Sequence, residues 1–372
     1  MPADARQRLA YIDWMRGFAC LMMFQTHCYD SWLSPAAKQS TFDKLSQLGG
    51  TLPAPLFLFL AGISLAMTTD RMRERGASAG KIARATIRRG GEILALGLLF
   101  RLQMFVLGQG HPPAPWTDLL RVDILNMIGA SIMAMGVMCW CVGKIGAAAN
   151  SPAFRTKMIW TAAGIALGIS LVTPPLYNSW RPRFLPWFLE SYVNGVHIFD
   201  KPQPWLFPFF PWAGFAFAGL AVGFFLITDW ARAQQAKALR LVAAAGTAIA
   251  GFALLAAAQP LELYAEYDFW HTSPSFFLIR VGVLLAILWL SYVWCRWGPG
   301  LRGFSPLVQM GKTSLLVYWV HINFVYTGLS IMERHTQSIL SASVGLLIIF
   351  TSMVLLSLVR TSFKARKGAA QV

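Results

Sequence analysis

The sequence predicts an all-α, polytopic membrane protein with about ten transmembrane helices. Of its 372 residues, 56% are hydrophobic and only 13% are charged, a composition outside the range of ordinary soluble domains. Apolar runs long enough to cross roughly 30 Å of hydrocarbon recur along the whole chain. Lipid offers no partner for backbone N–H and C=O groups, and the alternating pattern of a membrane barrel is absent, so these runs are expected to be helices.

Short polar or Pro/Gly-rich breaks separate the apolar runs. The predicted spans are 12–32, 52–69, 88–108, 122–143, 156–174, 206–228, 238–258, 274–295, 312–332 and 337–359. Asp13 and Arg16 interrupt what would be the apolar core of a signal peptide, so we expect the first span to remain in the mature protein. No segment between the spans is long enough to fold alone, which predicts one membrane domain over residues 1–372.

The formal net charge of +16 raises the question of a nucleic-acid partner. With ten spans, however, 23 of the 32 lysines and arginines fall on one side of the membrane, including the dense run between Arg71 and Arg89. This bias is typical of cytoplasmic loops. We therefore expect an inner-membrane protein with both termini in the cytoplasm, whose partner is the lipid bilayer rather than a nucleic acid; the sequence predicts no oligomeric state.

The first span carries four ionisable groups, and such groups within a membrane are functional candidates by default. Asp13 and Arg16 lie at its inner end, and His27 and Asp30 lie towards its outer end. Each pair is three residues apart, within reach on one helical face. At about 1.5 Å per residue, Arg16 and His27 are roughly 16 Å apart, so one helix carries polar chemistry through much of the membrane.

Further polar groups fall in four later spans. They are Glu92 and Arg101 in the third, Arg121, Asp123 and Asn126 in the fourth, Arg280 in the eighth, and Tyr318 and His321 in the ninth. Each of these groups has two interpretations, a functional site or a structural ion pair. His27 likewise is either a catalytic base or a satisfied structural histidine.

Two segments outside the spans have a distinctive composition. The long segment 175–206, predicted outside, is rich in aromatic residues that would either stack on a sugar ring or form an interfacial belt. Its marked residues are Trp180, Arg181, Arg183, Trp187, Tyr192, His197 and Trp205. The inside segment 70–89 would either bind the phosphates of a nucleotide cofactor or only orient the protein. The five cysteines lack the spacing of a metal site or disulfide framework, so no metal is expected.

The first span resembles the first helix of the transmembrane acyltransferase superfamily, which includes acyltransferase family three and the heparan-alpha-glucosaminide N-acetyltransferases. The family pattern is an Asp, an Arg-Gly three residues later, and a His eleven residues past the Arg. Asp13, Arg16, Gly17 and His27 match it. In the eukaryotic N-acetyltransferases an asparagine occupies the position of His27, so the support for this histidine comes from the bacterial branches.

Other motifs carry the same resemblance in the same order, and the core motifs occupy residues 8–130 and 305–325. Pro55 to Gly62 resembles the second helix of the family, Arg88 and Arg89 the basic start of the third, and Gly311 to His321 its late Gly-Lys-x-Ser and Tyr-x-x-His motif. The stretches 123–129 and 207–214 are most similar to the N-acetyltransferase branch.

The resemblance implies an acyl-CoA-dependent acyltransferase, with acetyl-CoA as co-substrate, that modifies a periplasmic sugar or glycan at a site open to the periplasm. We hypothesise that Arg16, Arg88 and Arg89 bind the CoA phosphates. His27 would be the general base, oriented by Asp30, with Asn126 or Arg101 stabilising the oxyanion. A covalent acyl-histidine route is equally compatible with these residues. Asp13, Asp123, Tyr318 and His321 complete the candidate site.

Two other functional classes fit the same charges. A transporter or flippase would also need a polar cavity within the membrane, although no internal repeat is evident. A redox protein could hold haem between His27 and His321, since histidines are common axial ligands.

Overall fold

A computed structural model describes residues 9–108, 116–144, 152–177, 180, 184–194, 207–258, 264, 268–297 and 303–369. Within these residues the secondary structure is helical, and an isolated bridge between Leu33 and Gln337 is the one β-type pairing. The predicted all-α fold is therefore confirmed.

Fifteen α-helices are present in the described part of the chain. They are α1 (Ala10–Trp32), α2 (Pro35–Lys38), α3 (Thr41–Gly50), α4 (Pro53–Glu74), α5 (Ala79–Leu107), α6 (Ile124–Lys144), α7 (Pro152–Tyr177), α8 (Trp187–Val193), α9 (Phe209–Leu226), α10 (Asp229–Ala233), α11 (Gln235–Ala258), α12 (Pro274–Trp297), α13 (Pro306–Gly311), α14 (Ser314–Tyr326) and α15 (Ile339–Ala369). A 3₁₀-helix, Trp116–Leu120, precedes α6.

Eight helices of the described residues are long and apolar enough to cross a membrane, and the chain is a multi-pass membrane protein. They are α4, α5, α6, α7, α9, α11, α12 and α15. The other two of the ten predicted spans differ from this pattern. The first, α1, is a 23-residue helix that carries Asp13, Arg16 and Asp30, and the ninth is broken between α13 and α14. Since α14 has only 13 residues, it is shorter than the roughly 20 needed to span hydrocarbon.

The chain divides into two compact units. The first unit comprises Met1–Leu56, Val106–Pro113 and Ile287–Val372, and the second comprises Phe57–Phe105 and Ala114–Ala286. The single domain expected over residues 1–372 stays a prediction.

In the first unit, α1 packs closely against α13 because two glycines remove the side chains between them. A Cβ atom at Gly17 would clash with the carbonyl oxygen of Leu307, and one at Gly311 would clash with that of Asp13. Small residues allow membrane helices to approach this closely. Both glycines belong to the motifs that carry the family resemblance, so part of each motif serves helix packing.

In the second unit, ionic clusters join helix ends that the charge pattern assigns to the same side. Asp70, near the end of α4, pairs with Arg155 at the start of α7 (3.3 Å) and with Arg232 of α10 (2.7 Å). The sequence had placed all three on the cytoplasmic side. Their meeting agrees with the predicted order of crossings, while the absolute orientation of the chain stays a prediction.

Candidate active site

Two histidines from distant parts of the sequence meet in the first unit. His27 of α1 and His321 of α14 are 294 residues apart in the chain, yet His27 Nδ1 lies 3.0 Å from His321 Nε2. The two ring planes are nearly parallel, at 4°, and His321 is fully buried. Each histidine was predicted as a candidate separately, and the structure brings the two together.

The hydrogen bonds of this pair assign its protons when both rings are neutral. His321 Nδ1 lies 3.0 Å from the carbonyl oxygen of Val317, which can only accept, so Nδ1 carries the proton. His321 Nε2 is then an acceptor, and His27 Nδ1 must donate to it. It follows that His27 Nε2 holds an unshared electron pair, the feature that a base or nucleophile needs.

Aromatic side chains surround the histidine pair. The Phe24 ring centroid is 4.6 Å from that of His321, and the Tyr326 ring packs edge-on against His27 at 5.4 Å. Tyr318 makes a similar edge contact with His321 at 6.0 Å. These rings fix the orientation of the imidazoles and limit the access of water to them.

Asp30 lies close to this pair but has other hydrogen-bond partners. Its Oδ2 accepts from the Tyr326 hydroxyl at 2.8 Å, and its Oδ1 lies 3.4 Å from Lys38 Nζ. The group that holds His27 Nδ1 is therefore His321, and Asp30 reaches the imidazole through Tyr326. Sequence reasoning did not select Tyr326, because nothing in a single sequence distinguishes it from an ordinary aromatic residue on α14.

The predicted pair at the other end of α1 is present. Arg16 Nη1 lies 3.1 Å from Asp13 Oδ1; the Asp13 carboxylate is buried, whereas the Arg16 side chain is 25% exposed. Both are on the same continuous helix as His27. Arg16 thus remains accessible to an anion at a position about 11 residues, or roughly 16 Å, along the helix from His27.

In the second unit, Arg101 is saturated by its neighbours. Its Nη2 lies 2.7 Å from Asp118 Oδ2, its Nη1 lies 3.1 Å from Asp123 Oδ2, and its Nε donates to the backbone oxygen of Asp118. The side chain is 8% exposed. All three nitrogens are occupied, so this arrangement fits the structural ion pair better than a donor held ready for a substrate.

Asn126 differs from Arg101 because its amide nitrogen is poorly paired, whereas every nitrogen of Arg101 has a partner. Its Oδ1 accepts from the backbone N–H of Asp123 at 3.3 Å, whereas its Nδ2 is buried without a hydrogen bond of good geometry. The Tyr192 hydroxyl lies beside it as a weak hydrogen-bond partner; burial raises the pKa of Tyr192 to about 12, and the contact with Asn126 opposes that rise. Gly97 of α5 leaves the space that the Asn126 amide fills.

The two arginines predicted for CoA phosphates lie on the surface of α5. Arg88 and Arg89 are 82% and 60% exposed, and both pair with Glu92 at 3.1 and 3.3 Å. Exposed pairs of this kind are weak, so a polyanion can compete for both guanidinium groups.

The aromatic wall predicted over residues 175–206 is described in part. The Trp187 and Trp116 rings pack edge to face, with their centroids 5.8 Å apart. Arg181, Arg183, His197 and Trp205 lie outside the described residues. The wall stays a prediction.

The haem alternative does not fit the arrangement of the histidines. Both nitrogens of His321 are engaged, one by the Val317 carbonyl and the other by His27. The direct hydrogen bond leaves no room for an iron atom between the rings, which axial ligation by both would require. Within the described residues, no cluster of three or more potential metal ligands from His, Cys, Asp and Glu occurs.

The fold and the site together define a multi-pass membrane protein in which α1 and α14 present a paired histidine with one free nitrogen. A family model described as heparan-alpha-glucosaminide N-acetyltransferase, catalytic, matches residues 8–256. The chain belongs to this family of membrane acetyltransferases, as the sequence motifs had indicated. No individually curated protein gives a significant match. The matched region contains His27, Arg101 and Asn126, whereas His321 lies beyond it.

Proposed function

We propose that this protein transfers an acetyl group from cytoplasmic acetyl-CoA to a hydroxyl or amine of a sugar on the opposite side of the membrane. The observation that carries the proposal is the hydrogen bond between His27 and His321 in a member of an acetyltransferase family. Membership in this family favours an enzyme over the transporter alternative. The family description makes an amino sugar the first acceptor to test.

In the proposed reaction, His27 Nε2 takes the proton of the acceptor hydroxyl or amine as the acceptor attacks the thioester carbonyl. The new bond joins the acceptor atom to the carbonyl carbon, and the carbon–sulfur bond of acetyl-CoA breaks. The proton on His27 then passes to the departing CoA thiolate. His321 is the positioning residue, because its Nε2 accepts from His27 Nδ1 and so keeps the reactive nitrogen unprotonated.

The unshared electron pair of His27 Nε2 also permits a covalent route. In that case His27 Nε2 attacks the thioester itself, and the acetyl group passes from the imidazole to the acceptor in a second step. Both routes need His27 Nε2 free and Nδ1 protonated, so the geometry supports both equally.

Asn126 is the better of the two proposed oxyanion donors. Its buried Nδ2 lacks a hydrogen bond of good geometry, whereas every nitrogen of Arg101 is engaged by Asp118 or Asp123. An unsatisfied buried donor gains most from a charge that develops on an oxygen in the transition state. Asp123 supports Asn126 through its backbone N–H.

Arg16, Arg88 and Arg89 are proposed to bind the phosphates of CoA by charge-assisted hydrogen bonds. Their accessibility supports this assignment: Arg88 and Arg89 are exposed, and Arg16 is partly so. The excess of basic residues on this side supports a cytoplasmic donor site, and the aromatic segment on the other side supports a periplasmic acceptor site.

The test is acetyl transfer by the purified protein in proteoliposomes, with radiolabelled acetyl-CoA and a panel that contains glucosamine and glucose. His27→Ala should lower the rate by about 10²–10⁴-fold, the usual contribution of a general base, without changing the thermal unfolding midpoint. His271→Ala is the matched control, since this histidine is exposed and paired with Asp268. Full activity in His27→Ala would remove the site assignment, and a wild-type protein that never uses acetyl-CoA would remove the function.

A further inference from the structure

Arg280 is a partly buried arginine within a membrane-spanning helix, and its surroundings differ from those of Arg101 and Arg155. It lies in α12, six residues or about 9 Å beyond Pro274, where this helix begins. Its Nε is buried without a hydrogen-bond partner, and it takes part in none of the ion pairs found among the described residues. Arg101 and Arg155, in contrast, are each held by two carboxylates.

Aromatic rings rather than acids flank this arginine. Its Cζ lies 3.9 Å from the ring centroid of Phe276 and 5.6 Å from that of Trp212. Further rings extend the surface. The ring centroids of Phe207 and Trp212 are 4.8 Å apart, and those of the exposed Trp270 and of Phe276 are 5.0 Å apart. The result is a cationic group set within an aromatic surface that reaches solvent at Trp270.

A charge in this setting needs a partner. Removal of a guanidinium group from water is costly within a membrane, and aromatic faces offset only part of that cost. A bound anion would complete the compensation and use the unsatisfied Nε donor. The neighbouring rings suit the apolar face of a sugar, because flat C–H surfaces pack well on aromatic rings.

We propose that Arg280, between the rings of Trp212 and Phe276, binds a carboxylate or phosphate group carried by the acceptor sugar. This inference rests on the proposed function for the identity of the ligand as an acceptor. The location agrees with it, because α9 and α12 both begin on the side where the charge pattern places the acceptor. The acceptor is accordingly an acidic sugar, or a sugar attached to a phosphate.

Binding is tested without an acyl donor, by isothermal titration of the full-length protein in detergent micelles. The probes are glucuronic acid, glucose 1-phosphate and neutral glucose. The wild type should bind at least one of the two anionic sugars about tenfold more tightly than glucose, as a charge-assisted hydrogen bond predicts. Arg280→Gln should abolish this preference, Arg280→Lys should keep part of it, and Trp212→Leu should weaken all three probes.

The matched control is Arg296→Gln, which removes an exposed arginine from the other end of the same helix and should leave binding unchanged. Elution profile and thermal unfolding midpoint identify any variant that fails to fold. Equal binding of anionic and neutral sugars by the wild type would overturn the proposal. So would a folded Arg280→Gln variant that keeps the preference.

Two other anions could occupy this position, a carboxylate of the chain itself or a lipid headgroup, and each is tested separately. If an acidic residue outside the described part of the chain, such as Asp200, Glu262 or Glu266, neutralised Arg280, the wild type would show no preference for anionic sugars, and that result would overturn the proposal. In nanodiscs, loss of sugar binding on replacement of phosphatidylcholine by phosphatidylglycerol would assign the site to a lipid headgroup instead. Since none of these measurements needs acetyl transfer, a failure here leaves the proposed function standing. A failure of the proposed function would leave the anion site at Arg280 standing and would remove only the identity of its ligand as an acceptor.

Discussion

The histidine pair of the first unit and the Arg101 cluster of the second unit differ in how completely their buried polar atoms are hydrogen-bonded. Both bury polar side chains among the helices of a membrane protein. Every nitrogen of Arg101 is engaged by Asp118 or Asp123, and four of its five N–H donors are used in these bonds. His27 is matched at one nitrogen by His321 and keeps the other free. The saturated cluster is therefore suited to holding helices together, and the unsaturated pair is suited to chemistry.

The largest expected effect comes from breaking the saturated cluster. Arg101→Leu would leave Asp118 and Asp123 without their shared cation, which typically costs about 3–5 kcal/mol of stability for a buried pair. We expect a large drop in the thermal unfolding midpoint in detergent. Arg84→Leu, an exposed position on the same helix, is the control and should change the midpoint little. A midpoint for Arg101→Leu equal to that of the control would mean that the cluster is not structural.

The second effect sharpens the role of the unsaturated pair. His321→Leu should lower kcat by about 10–100-fold, the usual cost of losing a group that orients a reactive ligand or base, while the KM for acetyl-CoA stays constant. His321→Gln should recover part of the rate, because its amide oxygen can accept from His27 Nδ1. A change confined to KM, or equal rates for the two variants, would argue against positioning.

A third, smaller effect concerns the packing that supports the pair. Gly17→Ala places a Cβ against the Leu307 carbonyl and must push α1 away from α13, at a cost of about 1–3 kcal/mol. Gly164→Ala is the contrast, because nothing lies within 4 Å of a Cβ there. It should leave the unfolding midpoint unchanged or raise it slightly. If both alanine variants behaved alike, the close helix contact would carry no energetic weight.

The smallest expected effect on stability comes from the exposed ion pair between Asp268 and His271. Asp268 Oδ2 lies 2.6 Å from His271 Nδ1. Partial burial opposes ionisation, but the His271 ring and the backbone N–H groups of Trp270 and His271 lower the pKa of Asp268 below its ordinary value. Because the pKa is depressed in the folded state, the pair stabilises the protein above the ordinary value for aspartate. That contribution is lost as the pH falls through the lower, folded-state pKa.

Asp268→Asn should therefore cost less than about 1 kcal/mol near neutral pH, the range of exposed ion pairs, and should reduce the fall in unfolding midpoint on acidification. Midpoints measured between neutral and acidic pH test this. An unchanged acid dependence in the variant would show that the pair contributes nothing.

Much of the fold followed from local pattern, and the departures have physical causes. Eight of the ten spans were recognisable because apolar length is a property of a short segment. The Asp13–Arg16 pair was predictable because helical spacing fixes it. The ninth span was less regular than predicted, since the chain breaks at Lys312 and Thr313, where the Thr313 hydroxyl bonds Ser357 of α15 at 2.7 Å.

The candidate site was predictable only as separate residues. Both a functional and a structural interpretation of His27, Arg101 and Arg280 were open in the sequence, because each is a polar residue in an apolar run. The structure adds the partners of each side chain: a histidine for His27, two carboxylates for Arg101, and aromatic rings for Arg280.

The sequence by itself determined that this chain crosses a membrane, which residues are polar within it, and which family it resembles, because composition, spacing and motifs are local. Only the tertiary structure decided which polar groups are satisfied. A hydrogen bond between residues 294 positions apart depends on how helices pack, and no local pattern encodes that distance.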